Sequence, residues 1–135
     1  MTVQLTKDSI DLGIVVKDSD AALAFYRDTL GFELVGDMPM PGRMHMWRLM
    51  CGTSMIKLVK SEREPKAEAA PGGIAGATGY RYWTISVSNL DEMVAKCEAG
   101  GYKVAVPITE IRPGTSIAIV EDADGNWVEF LKAES

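Results

Sequence analysis

A chain of 135 residues, 47% hydrophobic and 24% charged, has the size of one ordinary domain and the composition of a globular protein, which argues against a disordered chain; roughly two-thirds of its extended surface can be buried on folding. Its net charge of -5 and the lack of any basic run argue against nucleic acid, whose phosphates need clustered Lys and Arg, and point to a small-molecule partner. The longest apolar runs, LGIVV and SIAIV, fall far short of the roughly 18 residues of a membrane helix, so no membrane partner is expected.

The opening MTVQLTKDSIDLG has no basic region leading into an apolar stretch and a small-residue cleavage site, so a cytoplasmic protein is expected. A strand is predicted over Leu12 to Val16. Asp18 and Ser19 then offer helix caps, and Ala22, Phe25, Tyr26 and Leu30 follow at helical spacing until Gly31 ends the helix. The next strand runs from Phe32 to Val35, and RMHMWRLM and SMIKLVK supply two more. The stretch SEREPKAEAAPGGIAGATG, rich in Pro, Gly, Ala and charge, reads as a linker or mobile flap, with Glu62, Glu64 and Glu68 solvated on it.

The second half repeats the first. Trp83 to Val87 form a strand, Asn89 and Glu92 have capping-box spacing, and Met93, Val94 and Cys97 give the helix an apolar face. Gly100 and Gly101 close that helix; strands follow at Tyr102 to Val106, TSIAIVE and NWVEFLKA, with a turn at Arg112 and Pro113. Asp11 and Tyr82 are 71 positions apart, as are Asp18 and Asn89, while Phe32 and Tyr102 are 70 apart. The unit is β-α-β-β-β written twice: module 1 spans about 9–60, a linker about 61–79 and module 2 about 80–133 of a single domain in the α+β class. Cys51 and Cys97 lack CxxC spacing and read as small buried hydrophobes.

The opening GIVVKDSDAALAFYRDTLGFELV, its echo ISVSNLDEMVAKCEAGGYKV and the closing DADGNWVEFL resemble the vicinal-oxygen-chelate superfamily of glyoxalases, bleomycin-resistance proteins and dioxygenases, the ending being similar to the family's D-P-D-G-N-x-x-E pattern. The resemblance implies two modules forming a curved mixed sheet around a cavity, and a homodimer by analogy. In metal-binding members each module supplies two ligands from its first and last strands. Those positions correspond here to Asp11, Lys57, Tyr82 and Glu129, of which only Glu129 fits. A lysine ammonium opposes a divalent cation and tyrosine replaces imidazole poorly, so neither a metal nor a cofactor is expected.

Strand alternation sets Asp11, Lys57, Tyr82 and Glu129 apart from their apolar neighbours, so the four are expected to face the cavity. The bland account is that an Asp11–Lys57 ion pair and a Tyr82–Glu129 hydrogen bond satisfy buried polar groups. The functional account makes all four catalytic candidates: Glu129 a partly desolvated general base, Tyr82 or Lys57 stabilising an oxyanion, and Asp11 the base to test next after Glu129.

Methionines crowd GDMPMPGRMHMWRLM, suiting an adaptable apolar wall. His45 and Trp47 alternate there with Met44, Met46 and Arg48, and parity does not say which set faces the ligand. His45, Trp47, Met46 and Met44 are therefore all ligand-binding candidates, and His45 also a proton shuttle. Arg43 and Arg81 flank strands as anion contacts or surface charge. The reading is a metal-independent protein with isomerase or lyase chemistry on an apolar carbonyl-bearing compound. The alternatives are a non-catalytic drug- or metabolite-binding protein of the resistance type, and a metal-dependent lyase or dioxygenase using Asp11, Glu129 and His45.

Overall fold

In a computed structural model, which describes residues 1–134, the repeat is visible as two four-stranded sheets of identical topology. The first is ordered β1-β4-β3-β2 from β1 (Leu12–Val15), β2 (Glu33–Met40), β3 (Met44–Cys51) and β4 (Ser54–Ser61). The second is ordered β5-β8-β7-β6 from β5 (Tyr82–Ser86), β6 (Val104–Arg112), β7 (Thr115–Glu121) and β8 (Trp127–Ala133). In each, the first strand lies parallel to the last and the other pairings are antiparallel. The α+β class and the β-α-β-β-β unit are thus as expected. The chain divides into compact units at Met1–Pro65 and Lys66–Ser135, inside the expected linker.

The edge strands β2 and β6 outrun their predicted ends. β2 continues through Met40 because its hairpin with β3 keeps pairing to Met40 opposite Met44, past a bulge between Leu34 and Gly36. β6 reaches Arg112 through three irregularities opposite β7. Pro39 and Pro107 are tolerated because both strands are at sheet edges, where a missing N–H breaks no ladder.

Asp18 caps α1 (Ser19–Leu23), its side chain accepting from the backbone N–H groups of Asp20 and Ala21 at 2.9 and 3.2 Å. The expected regular helix then widens into a π-helical stretch, Ala24–Thr29, in which Thr29 Oγ1 donates to the Ala24 carbonyl at 2.9 Å. Within it adjacent Phe25 and Tyr26 both reach 0% exposure and meet edge to face at 4.8 Å. Gly31 ends the stretch at φ +84°, a conformation open chiefly to glycine.

In the second module α2 (Leu90–Ala99) buries Leu90, Val94 and Cys97. The predicted capping box at Asn89 is not formed, since the Asn89 side chain caps no backbone group and instead donates from Nδ2 to Glu92 Oε2 at 3.2 Å. No helix among the described residues is long and apolar enough to cross a membrane.

Candidate functional site

Strand pairing decides what alternation left open. Across β3 and β4, Met44, Met46, Arg48 and Met50 pair with Ser61, Val59, Lys57 and Met55, while Trp47 and Leu49 pair with Leu58 and Ile56. Paired residues share a face. Leu49, Ile56 and Leu58 are buried at 2% exposure or less, with α1 packed on β4, so that face is the core. The opposite face of this sheet carries Lys57, Arg48 and the methionines; β2 adds Met38 beside Met46 and Met40 beside Met44.

The four ligand-binding candidates therefore separate. Met44 and Met46 are on the Lys57 face, whereas His45 and Trp47 are on the other, with ring centroids 4.6 Å apart. His45 Nε2 is bonded to Asp37 at 2.6 Å, a satisfied pair between β2 and β3.

Asp11 sits just before β1 and meets Lys57 only at 3.9 Å. Its closer partner is Lys7, whose Nζ donates to Oδ1 at 2.7 Å, and the same oxygen accepts the Met55 N–H at 3.1 Å. The Lys7 hydrogen bond, with the Met55 N–H and the nearby charges, holds the Asp11 carboxyl below its ordinary 3.8. The expected Asp11–Lys57 ion pair is present, but as the longer contact of an exposed cluster with Lys7 and not as a buried pair, because register places Gly13, not Asp11, beside Lys57. Lys7 went unnoticed in the sequence, where only its four-residue spacing from Asp11 signals it.

The same register recurs in module 2. Tyr82 pairs with Trp127 and Thr84 with Glu129, so the hydroxyl that reaches Glu129 is that of Thr84, donating from Oγ1 to Oε1 at 2.7 Å. Tyr82 shares the face of Glu129 but does not bond to it, which corrects the expected Tyr82–Glu129 hydrogen bond. Ile119, 5% exposed, stands beside Glu129 on β7 and gives it an apolar flank.

Glu129 is set in place by the turn before β8. Asp122, 6% exposed, accepts from the N–H groups of Asp124 and Asn126 through Oδ1 and from Asn126 Nδ2 through Oδ2, all within 3.0 Å. Gly125 completes the turn at φ +83°. At the end of this face Trp127 donates from Nε1 to Glu121 at 3.2 Å. Against its ring lies the 3-10 turn Gly73–Ala75, where a Cβ on Gly73 would stand 2.3 Å from indole carbons. Arg81 pins that turn, donating to the carbonyls of Gly73 at 2.6 Å and Ala70 at 2.5 Å. The supposed flap is anchored here, and Arg81 is spent on its backbone.

The donor set does not suit the divalent cation of metal-binding members of the superfamily that the sequence resembles. Lys57 offers a positive charge and no lone pair, and Oδ1 of Asp11 already accepts twice. Among the described residues no three His, Cys, Asp or Glu side chains are grouped to hold a metal ion.

Comparison with known proteins agrees with this architecture. The model of the Glyoxalase/Bleomycin resistance protein/Dioxygenase superfamily matches residues 8–130. An uncharacterized protein of Pseudomonas aeruginosa is 26% identical over 124 residues, 88% of this chain and 84% of its own. A glyoxalase family protein from Bacillus cereus superposes with a TM-score of 0.84 at 18% identity, covering 98% of this chain and 97% of that one. The trypanothione-dependent glyoxalase I of Leishmania major superposes at 0.68 with 22% identity, over 90% of this chain and 84% of its own. At these identities the structural likeness speaks for the fold.

Proposed function

Because this chain belongs to the Glyoxalase/Bleomycin resistance protein/Dioxygenase superfamily, we propose that it is a metal-independent member that performs acid/base chemistry, of isomerase or lyase type, on an apolar carbonyl-bearing compound. The observation that carries the reading is the Thr84–Glu129 hydrogen bond of 2.7 Å. Glu129 keeps a family ligand position, but a hydroxyl orients it where a metal ligand would be held by a cation. Only one of its oxygens is engaged by a side chain among the described residues, which leaves the other to take a proton.

In this reading Glu129 removes a proton from the carbon beside the carbonyl, and the C–H electron pair moves to the carbonyl oxygen as an enolate. Returning the proton to a different carbon isomerises the compound; expelling a group from the β carbon makes the reaction a lyase. Tyr82, on the same face, is the candidate proton donor to the oxygen. A homodimer belongs to the proposal by analogy with the family.

The test is exchange of α-protons of apolar ketones in heavy water, followed by NMR. Wild-type protein is expected to exchange them, and Glu129→Gln, which keeps shape but not proton acceptance, to do so roughly a hundredfold more slowly or worse. Equal rates for the two would remove Glu129 from the mechanism. Binding without exchange by wild type would favour the second reading, a protein that sequesters a drug or metabolite, to which the methionine face of module 1 is suited.

A further inference from the structure

Arg48 and Lys57 are directly opposite each other on β3 and β4, on the methionine face of the first sheet. Like charges in such a pair repel and weaken the sheet. Shortage of acid does not explain the arrangement, since the chain has 19 acidic and 14 basic residues. Arg48 has no salt bridge or hydrogen bond among the described residues, and its Nε is buried with no partner. Glu33, the β2 residue beside Met50 on this face, makes no ion pair with it. Among the described residues Lys57 has only the 3.9 Å approach to Asp11.

The guanidinium is also given room. Gly36 pairs with Arg48 across β2 and β3, and a Cβ there would stand 2.8 Å from Nη2. Glycine at this position lets the guanidinium lie against the strand. Around the two cations Met38, Met40, Met44, Met46, Met50 and Met55 supply an adaptable apolar surface on which Met38 is 44% exposed.

We propose that Arg48 and Lys57 form an anion-binding subsite on this face, which takes the charged head of an amphipathic organic anion while the methionines receive its apolar body. An arginine fork and a lysine point charge together suit a carboxylate or a phosphate head. The subsite is a property of module 1 alone and goes beyond the Glu129 reading without resting on it.

The experiment titrates the full-length protein with octanoate, octyl phosphate and neutral 1-octanol, below micelle formation, by calorimetry. At least one of the two anions is expected to bind roughly tenfold tighter than 1-octanol, with the advantage shrinking as salt is raised, and the tighter of the two identifies the head group. Arg48→Met and Lys57→Met each remove most of that advantage and leave 1-octanol binding in place. Gly36→Ala, which keeps both charges but displaces the guanidinium, weakens the anion and gives a second route if either cation variant folds poorly. Anions bound no tighter than 1-octanol, or no binding at all, or a preference that survives loss of both cations, overturns the subsite. The readout is equilibrium binding, so its failure leaves the Glu129 reading standing, and Glu129→Gln that still exchanges protons leaves the subsite standing.

Discussion

Thr84 Oγ1 donates to Glu129 Oε1 at 2.7 Å because the parallel register of β5 and β8 places these two residues side by side. The bond restrains a glutamate whose orientation proton abstraction would require. Thr84→Val keeps the shape and β-branching of the side chain but removes the donor. Turnover is expected to fall about tenfold with KM little changed, and Thr84→Ser to recover most of it, as expected for a positioning residue. If Thr84→Val changes KM and leaves kcat intact, Thr84 contacts the ligand and does not orient Glu129.

Asp11 titrates below its ordinary 3.8, chiefly through Lys7. A depressed carboxyl stabilises the fold above the unfolded value and loses that contribution as pH falls through the lower, folded one. The Asp11 midpoint, followed by carboxyl-carbon NMR, is expected to rise clearly in Lys7→Met and only slightly in Lys57→Met. The reverse order would make Lys57 the true partner.

How far these pairs could be read from the sequence depends on what sets them. Alternation correctly put Lys57 and Glu129 opposite their buried neighbours Ile56, Leu58, Val128 and Phe130, because the pleat is a local property. Register is not local. A two-residue offset between parallel strands replaces Asp11 with Gly13 beside Lys57 and Tyr82 with Thr84 beside Glu129, and nothing within a strand reveals that offset. The same limit hid which methionines face outward with Arg48. The π-helical widening over Ala24–Thr29 changes hydrogen bonding and not the order of apolar residues, so helical spacing alone does not convey it.

Cys97 is fully buried, and burial pushes its thiol up to about 11 from 9.0. The folded chain therefore holds this proton more tightly than the unfolded one, so its contribution is complete below pH 9 and lost as pH rises from about 9 toward about 11. Urea denaturation across that range should show wild type losing more stability than Cys97→Ala, by up to about 2–3 kcal/mol. Comparing slopes and not absolute values separates titration from the cavity that alanine leaves. Parallel slopes would mean the thiol is free to ionise in the folded chain.

The proposal of a metal-independent member predicts that dialysis against a strong chelator leaves turnover and thermal midpoint unchanged. The reason is chemical: a cation placed beside Lys57 meets repulsion, and Asp11 is already shared between Lys7 and the Met55 N–H. Stoichiometric zinc, nickel, iron or manganese whose removal abolishes activity would instead support the unusual ligand set of the metal-dependent reading.

Gly73 bears on Trp127, and through it on the end of the face that carries Glu129 and Tyr82. Its φ of +56° and the 2.3 Å that a Cβ would leave to the indole make it a position where neither backbone nor space admits a side chain. Gly73→Ala is expected to lift the 3-10 turn from the ring even though Arg81 still reaches for the Gly73 and Ala70 carbonyls. The indole, otherwise partly covered, would meet water, giving red-shifted tryptophan emission and easier quenching by iodide. Overpacking of this kind costs about 1–3 kcal/mol in stability. Trp127→Phe supplies the control: it removes the emission of this residue and keeps an apolar ring beneath the turn, so Gly73→Ala in that background should produce no red shift. If the double variant shifts as the single one does, the emission comes from Trp47 or Trp83, and the turn does not rest on Trp127.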